Sequence, residues 1–239
     1  AEDFDNYIYL NLEEKENVEL FAADYAFDDL LSGIFFKANV RQDNKRTLIF
    51  IDEIQNEPKA VQTLRSGGLI LYPTDTIWGI GCDASNSEAV KRVYQLKRRD
   101  DSKALICLVD SANRLQRYVF RVPDVAWDLI EFASKPLTLI LDGACNLAPE
   151  LIAEDGSVGM RVTQEAISHE LCFRFQKAVV STSANVSGEP SPANFSEISP
   201  EIVAGVDYVM RSRQNDLAKA KPSQIIKLGQ DGEVHIIRK

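Results

Sequence analysis

The chain has 239 residues, of which 45% are apolar, and it carries a formal net charge of −9. This length exceeds the usual size of one domain, and the apolar fraction is ordinary for a soluble globular protein. No stretch approaches the roughly 18 apolar residues of a membrane-spanning helix, and the acidic N-terminus does not resemble a signal peptide, so we expect a cytoplasmic protein.

The negative charge is unevenly distributed along the chain. Residues 1–57 hold five basic and fourteen acidic residues, whereas residues 58–239 hold 22 of each kind. The larger part is therefore neutral and offers no bulk electrostatic attraction to nucleic acid. We expect two parts, an acidic N-terminal appendage over residues 1–57 and a domain over residues 58–239.

The predicted elements of the appendage form a strand-helix-strand unit. Alternation predicts a strand from Tyr7 to Leu12, and apolar residues at helical spacing predict a helix from Val18 to Phe36. The apolar run from Thr47 to Ile51 predicts a buried strand.

Strands and helices mix without strict alternation in the rest of the chain. A short helix at Lys59–Ser66 should end at Gly67, and a helix at Ser87–Leu96 should begin with Ser87 as its cap. Further helices are predicted at Val125–Ala133, at Glu165–Lys177 and around Pro200–Ala204. Strands are predicted at Leu69–Tyr72, Ala104–Val109, Leu137–Leu141, Val158–Val162, Val179–Ser181, Tyr208–Met210, Ser223–Lys227 and Val234–Ile237. This mixture predicts an α/β fold with one twisted, mixed sheet.

Three polar patches interrupt these elements. The first, from Tyr72 to Gly81, offers the hydroxyls of Thr74 and Thr76 beside glycines, and it fits either a ligand loop or a turn that satisfies its own backbone. The second, from Lys97 to Leu105, crowds four cations into seven residues, which is typical of a solvated helix end or of a phosphate clamp. The third, from Ser181 to Gly188, is rich in hydroxyls and fits either a turn or an anion-accepting floor.

Other kinds of site are poorly supported. The four cysteines lie far apart without a C-x-x-C pair and are predicted to be reduced, buried residues: Cys82, Cys107, Cys145 and Cys172. The only histidines are His169 and His235. A zinc site or a Ser-His-Asp triad is therefore hard to assemble.

The three patches occur in series with the segments KPLTLIL, SVGMRV and KPSQIIKL. In order and spacing this series resembles the YrdC/TsaC family of threonylcarbamoyl-AMP synthases over about residues 59–239. The resemblance implies a YrdC-like fold with a deep, partly positive cavity. It also implies that L-threonine, bicarbonate and ATP are converted to threonylcarbamoyl-adenylate and pyrophosphate, the first step towards threonylcarbamoyladenosine in tRNA.

The resemblance further implies which residues and partners take part. The cationic wall for the ATP phosphates would comprise Lys97, Arg99 and Lys103. The contacts to threonine and nucleotide would comprise Thr76, Arg161, Ser183, Asn185, Ser191 and Ser223. Mg²⁺ would accompany ATP, held mainly by phosphates and water. A tRNA contact and downstream threonylcarbamoyl-transfer proteins complete the implied partners.

Three positions depart from the family pattern. Asp100 replaces the usual proline, Lys103 stands where some relatives have Asn, and Leu108 stands where some have a histidine facing threonine. These departures leave the preference for threonine as an expectation to be tested.

The appendage has a resemblance of its own. Residues 46–56 resemble the Walker B strand of an AAA-type ATPase, with Asp52 and Glu53 as the acidic pair. No G-x-x-x-x-G-K-[ST] phosphate loop occurs in the chain, and without it independent ATP hydrolysis is not expected. We interpret the segment as an ATPase fragment that takes no part in catalysis.

This interpretation predicts that Asp52→Asn leaves the rate of adenylate synthesis unchanged within about two-fold, because the substitution removes an acid outside the family pattern. Pyrophosphate release under saturating substrates measures that rate. If the variant abolishes synthesis, the appendage contributes to the active site and the interpretation is wrong.

A second function remains open on the sequence. The chain could be a noncatalytic RNA- or nucleotide-binding paralogue with the same fold. Tight RNA binding with a steep salt dependence and no threonine-dependent turnover would identify such a protein.

Overall fold

The computed structural model describes residues 4–11, 14, 16–17, 20, 25–43, 45–52, 58–99, 105–216 and 222–238. Contacts divide the chain into two compact units, Ala1–Pro58 and Lys59–Lys239. Lys103, Asp100 and Glu53, which the sequence singled out, lie outside the described residues.

The first unit contains a parallel pair of strands joined through a helix. Strand β1 spans Asn6–Asn11, helix α1 spans Phe27–Lys37 and strand β2 spans Thr47–Asp52. One face of the strand pair packs on the helix through a small core of Ile8, Leu10, Ile34 and Phe35. The predicted strands are found where the described residues allow comparison.

The helix predicted from Val18 to Phe36 is interrupted, because the described residues Glu16, Asn17 and Leu20 are helical and α1 begins only at Phe27. Tyr25 is not helical, and the cap residue Ala26 has an extended backbone with φ −60° and ψ 152°. Asp28 and Asp29 lie in the first turn, where carboxylates are stabilised by the helix dipole. The apolar spacing continues through Tyr25, where the backbone is not helical, and part of the predicted range lies outside the described residues.

The second unit is built on a nine-stranded sheet with the order β11-β10-β6-β7-β5-β8-β4-β3-β9. Its strands are β3 Ile70–Tyr72, β4 Gly79–Gly81, β5 Ile106–Val109, β6 Leu137–Asp142, β7 Ser157–Val162, β8 Val179–Ser183, β9 Tyr208–Val209, β10 Gln224–Leu228 and β11 Val234–Arg238. The pairs β3–β9, β5–β7 and β6–β10 are parallel, and the other five are antiparallel. The predicted mixed α/β sheet is confirmed.

Five helices accompany this sheet among the described residues: α2 Pro58–Arg65, α3 Ser87–Leu96, α4 Asp124–Glu131, α5 Ala166–Phe175 and α6 Pro200–Ala204. Short 3-10 turns lie at Ala112–Arg117, Pro149–Leu151 and Phe195–Glu197. None of the described helices is long and apolar enough to cross a membrane.

Successive side chains of β7 point to opposite faces of the sheet. Val158 and Met160 point into the main hydrophobic core, whereas Gly159 and Arg161 lie on the opposite face. This second face also carries a smaller cluster that includes Leu108 and Tyr72. A buried arginine is thereby placed on the less apolar side of the sheet.

The cap of helix α3 differs from the prediction. The side chain of Asn86 accepts a hydrogen bond from the backbone N–H of Ala89 at 3.1 Å, so Asn86 is the cap. Ser87 is the first helical residue, and its hydroxyl donates to Glu150 at 2.6 Å. Both residue types are good caps, and the sequence could not decide between adjacent candidates.

Strand β4 was not predicted, because glycines are depleted in strands. Its pairing places Ile70 opposite Gly81, so the first patch is the loop of an antiparallel hairpin. A Cβ atom at Gly81 would lie 2.7 Å from the Tyr72 ring and 2.8 Å from the carbonyl oxygen of Val180. Close packing therefore requires this glycine.

The cysteine prediction holds at three positions. Cys82, Cys107 and Cys172 are free and buried, but free Cys145 is only partly buried. Cys145 lies in the loop after β6, where its Sγ is 3.6 Å from the carbonyl oxygen of Arg117.

Candidate functional site

A cavity of about 250 Å³ lies where the first patch, the third patch, β7 and the last hairpin meet. Six of the nine predicted site residues line it: Thr76, Arg99, Arg161, Ser183, Ser191 and Ser223. Lys97 and Asn185 are not among its lining residues, and Lys103 lies outside the described part of the chain. Residues more than 140 positions apart in sequence thus share one cavity.

The cavity is lined by three arginines, Arg99, Arg161 and Arg238. The Nε of Arg238 donates to the carbonyl oxygen of Ser223 at 2.8 Å, which fixes the guanidinium beside the predicted serine. Sequence reasoning missed Arg238, since a single arginine ending a strand carries no local signal. Pairing of β11 with β10 brings it to the site.

Arg161 forms a buried ion pair with Asp75. Its Nη2 lies 3.1 Å from Oδ1 of Asp75, and the two side chains are 3% and 10% exposed. Burial lowers the pKa of Arg161 and raises the pKa of Asp75, although the Arg161 charge acts against the latter shift. Nε of Arg161 is buried and has no hydrogen-bond partner among the described residues. The hydrogen-bonding capacity of the guanidinium is therefore not fully used within the described residues.

The hydroxyl of Thr76 is oriented by its neighbour. Thr74 Oγ1 donates to the carbonyl oxygen of Ile77 at 2.7 Å and lies 3.0 Å from Thr76 Oγ1. Because Thr74 has one hydroxyl hydrogen, Thr76 is the donor in the second contact. The lone pairs of Thr76 are then left to accept from a donor such as a hydroxyl or an ammonium group, and Thr76 lines the cavity. The turn-forming and ligand-binding interpretations of the first patch are compatible.

Lys97 joins the second patch to the third. Its ammonium is buried, with the residue 1% exposed, and donates to the carbonyl oxygen of Ser183 and to that of Asn185 at 2.6 Å. The backbone N–H of Ser187 donates in return to the Lys97 carbonyl oxygen at 2.8 Å. Burial, and secondarily the charge of Arg99, lower the pKa of Lys97 to about 8. Much of the hydrogen-bonding capacity of this lysine is used within the protein.

Asn185 stabilises the same loop. Its Nδ2 donates to the carbonyl oxygens of Val186 at 3.0 Å and Glu189 at 2.7 Å, while its buried Oδ1 has no hydrogen-bond partner among the described residues. Ser183, the last residue of β8, therefore lines the cavity where the strand enters a loop held by Lys97 and Asn185.

The hydroxyl of Ser223 is held from the opposite side. Its Oγ lies 2.8 Å from Oγ1 of the buried Thr138 on β6. Ser223 is thus fixed between Thr138 and Arg238.

The lining has the chemistry expected for an anion beside a small polar molecule. It contains three arginines and, within the described part of the chain, no acidic residue; Asp75 pairs with Arg161 but does not line this cavity. Within the described ranges, no cluster of three His, Cys, Asp or Glu residues could hold a metal ion. The cationic lining suits phosphate and carboxylate groups.

Comparison with known proteins points to one family. The family model Sua5/YciO/YrdC, described as telomere recombination, matches residues 62–239. A Methanocaldococcus jannaschii protein, provisionally named threonylcarbamoyl-AMP synthase, is 35% identical over 202 residues, which cover 80% of this chain and 92% of that protein. The threonylcarbamoyl-AMP synthase of Stenotrophomonas maltophilia is 34% identical over 167 residues, covering 68% and 89%.

Solved structures share the fold. The E. coli YciO crystal structure superposes with a TM-score of 0.66 at 26% identity and covers 76% of this chain and 87% of its own. P. abyssi Sua5 complexed with L-threonine gives a TM-score of 0.63 at 26% identity. That match covers 71% of this chain, which spans only 50% of the Sua5 length.

Proposed function

The chain belongs to the Sua5/YciO/YrdC family, and from that premise we propose that it is an L-threonylcarbamoyladenylate synthase. It is a nucleotidyltransferase that uses L-threonine, bicarbonate and ATP and releases pyrophosphate. The observation that carries the proposal is the cavity, which brings the hydroxyl of Thr76 together with Arg99 and Arg161. Relatives that bear the synthase name support it.

The chemistry requires positioning and charge stabilisation. The threonine amine adds to the carbon of bicarbonate and water leaves, which gives a carbamate. A carbamate oxygen then attacks the α-phosphorus of ATP, and the bond to pyrophosphate breaks. Negative charge concentrates on the phosphoryl oxygens, where fixed guanidinium groups are most effective. No covalent intermediate with the protein is required.

We assign the cations of the cavity lining to the two substrates. Arg161 is paired with Asp75, which precedes Thr76 in the chain, so Arg161 lies at the threonine end and binds its carboxylate. Arg99 and Arg238 are the remaining cations and bind the ATP phosphates. Lys97 contributes mainly by holding the end of β8, which carries Ser183.

Mg²⁺ enters with ATP as part of the nucleotide substrate in this proposal. The cavity offers it no carboxylate cluster among the described residues, so phosphates and water supply its ligands. The product serves tRNA threonylcarbamoyladenosine synthesis in the cytoplasm, through downstream threonylcarbamoyl-transfer proteins and with a tRNA contact.

Thr76→Ala is expected to raise KM for L-threonine by about 5- to 20-fold, with KM for ATP little changed. The substitution removes one acceptor facing the cavity, and such a hydrogen bond contributes about 1–2 kcal/mol. Steady-state kinetics with each substrate varied in turn measure both constants. Thr76→Ser keeps the hydroxyl and should retain near-normal values, and a normal threonine KM in the alanine variant would remove Thr76 from the site.

Substrate omission tests the proposed function. Pyrophosphate release from ATP should require L-threonine and bicarbonate together, and omission of either should reduce it to background. Release that is independent of threonine would refute the proposal. Salt-sensitive RNA binding without any turnover would instead identify the noncatalytic paralogue.

A further inference from the structure

Arg161 and its ion-pair partner Asp75 line different cavities. Arg161 lines the substrate cavity of about 250 Å³, while its partner Asp75 lines a second cavity of about 220 Å³. The second cavity also presents the polar side chains of Ser134, Lys135 and Gln164. Each member of the pair thus lines a different cavity, although the two side chains are only 3% and 10% exposed.

Few polar contacts restrain Arg161. Among the described residues its one polar contact is the ion pair between its Nη2 and Oδ1 of Asp75 at 3.1 Å, which does not have hydrogen-bond geometry. Nε of Arg161 has no hydrogen-bond partner there either. The restraint on the guanidinium is therefore electrostatic, and removal of the carboxylate charge removes it.

Asp75 is the better anchored member of the pair. Its loop is held on both sides, because Arg213 donates to the carbonyl oxygen of Thr74 at 3.2 Å and Thr74 donates to that of Ile77 at 2.7 Å. Asp75 also has a short side chain, whereas the long arginine side chain has many rotamers. The acid therefore determines the position of the arginine, rather than the reverse.

We propose that Asp75 is a positioning residue that holds the Arg161 guanidinium at the wall of the substrate cavity and thereby sets the affinity for the threonine carboxylate. This inference rests on the proposed synthase function. The buried charges depend on each other, since burial disfavours the ionised form of each and their attraction opposes it.

Asp75→Asn tests the role, because it keeps the size of the side chain and removes its charge. The expected result is a rise of at least about ten-fold in KM for L-threonine, with KM for ATP within about two-fold and kcat changed less than the threonine KM. The threonine KM of Asp75→Glu should lie between those of the wild type and Asp75→Asn, because glutamate keeps the charge but places it one methylene further from the backbone.

Asp110→Asn is the matched control. Asp110 has a 5% exposed side chain and pairs with Arg114, and neither residue lines the substrate cavity. This variant should show the wild-type threonine KM even where its melting temperature falls. An equal effect in the two variants would show that Asp75 acts only on stability and would overturn the inference.

Calorimetric titration of L-threonine keeps the inference separate from the proposed function. Wild-type protein that binds threonine but releases no pyrophosphate contradicts the synthase function. Equal threonine affinity in wild type and in Asp75→Asn contradicts the role of Asp75 alone. If Asp75→Asn does not fold, Asp75→Glu decides, and wild-type threonine affinity in that variant overturns the inference.

Discussion

Replacement of Lys97 by methionine is expected to lower kcat/KM for both ATP and L-threonine by about 100-fold or more. The ammonium donates to the carbonyl oxygens of Ser183 and Asn185, and methionine fills the space without donating. The end of β8, which presents Ser183 to the cavity, then loses its support. A displacement of about 1 Å at an active site can lower the reaction rate by about two orders of magnitude.

The stability effect of Lys97→Met should be smaller than its effect on activity. Removing the ammonium leaves two carbonyl acceptors without a donor, which destabilises the fold. It also removes a buried charge, which stabilises the fold, because burial of that charge is unfavourable and lowers the pKa of Lys97 to about 8. We expect a fall in Tm of less than about 10 °C. Circular dichroism and steady-state kinetics measure the two effects on one preparation.

Lys91→Met provides the control for Lys97. Lys91 lies on the same helix α3, with a half-exposed side chain that pairs with Glu88 at 3.0 Å. Exposed pairs contribute little, so this variant should remain active and stable. Near-normal activity in Lys97→Met would show that the loop does not depend on the lysine.

Arg99→Ala is expected to lower kcat/KM for ATP by about 10- to 100-fold. Arg99 lines the cavity, and a charge-assisted hydrogen bond to phosphate contributes about 1.5–3 kcal/mol. Arg99→Lys should recover part of the loss, because it keeps the charge but not the bidentate geometry. The KM for L-threonine should change much less than that for ATP.

The neighbouring Arg98 is the control for this effect. Its side chain is 68% exposed and pairs with Glu201 at 2.6 Å, and it does not line the cavity. Arg98→Ala should therefore retain wild-type kinetics. Equal losses in the two variants would indicate that the segment as a whole, rather than a phosphate contact by Arg99, supports ATP use.

Much of the fold could be predicted from local patterns. Alternation and apolar runs predicted most strands of the second unit, such as β6 and β7, because these strands are buried and rich in branched residues. Prediction failed at β4, which consists of Gly79, Ile80 and Gly81. The requirement for glycine at Gly81 follows from its close approach to Tyr72 and Val180, which only the folded structure shows. The prediction of one continuous helix from Val18 to Phe36 was also wrong, because the apolar spacing continues through Tyr25 whereas the backbone is not helical there.

The site was predictable residue by residue but not as a network. Thr76 and Arg99 belong to motifs that a sequence displays, and both line the cavity. Arg238 and the Asp75–Arg161 pair depend on partners far away in the chain, so no local pattern reveals them. The carbonyl partners of the Lys97 ammonium also became visible only in the folded structure.

Product analysis with ¹³C-bicarbonate tests the synthase function most directly. Mass spectrometry of a reaction with ATP and L-threonine should detect threonylcarbamoyl-AMP one mass unit heavier than the unlabelled product, formed together with pyrophosphate. Consumption of ATP without a labelled threonine adduct, or an adduct that lacks the label, would contradict the proposal that this cavity joins threonine, bicarbonate and ATP.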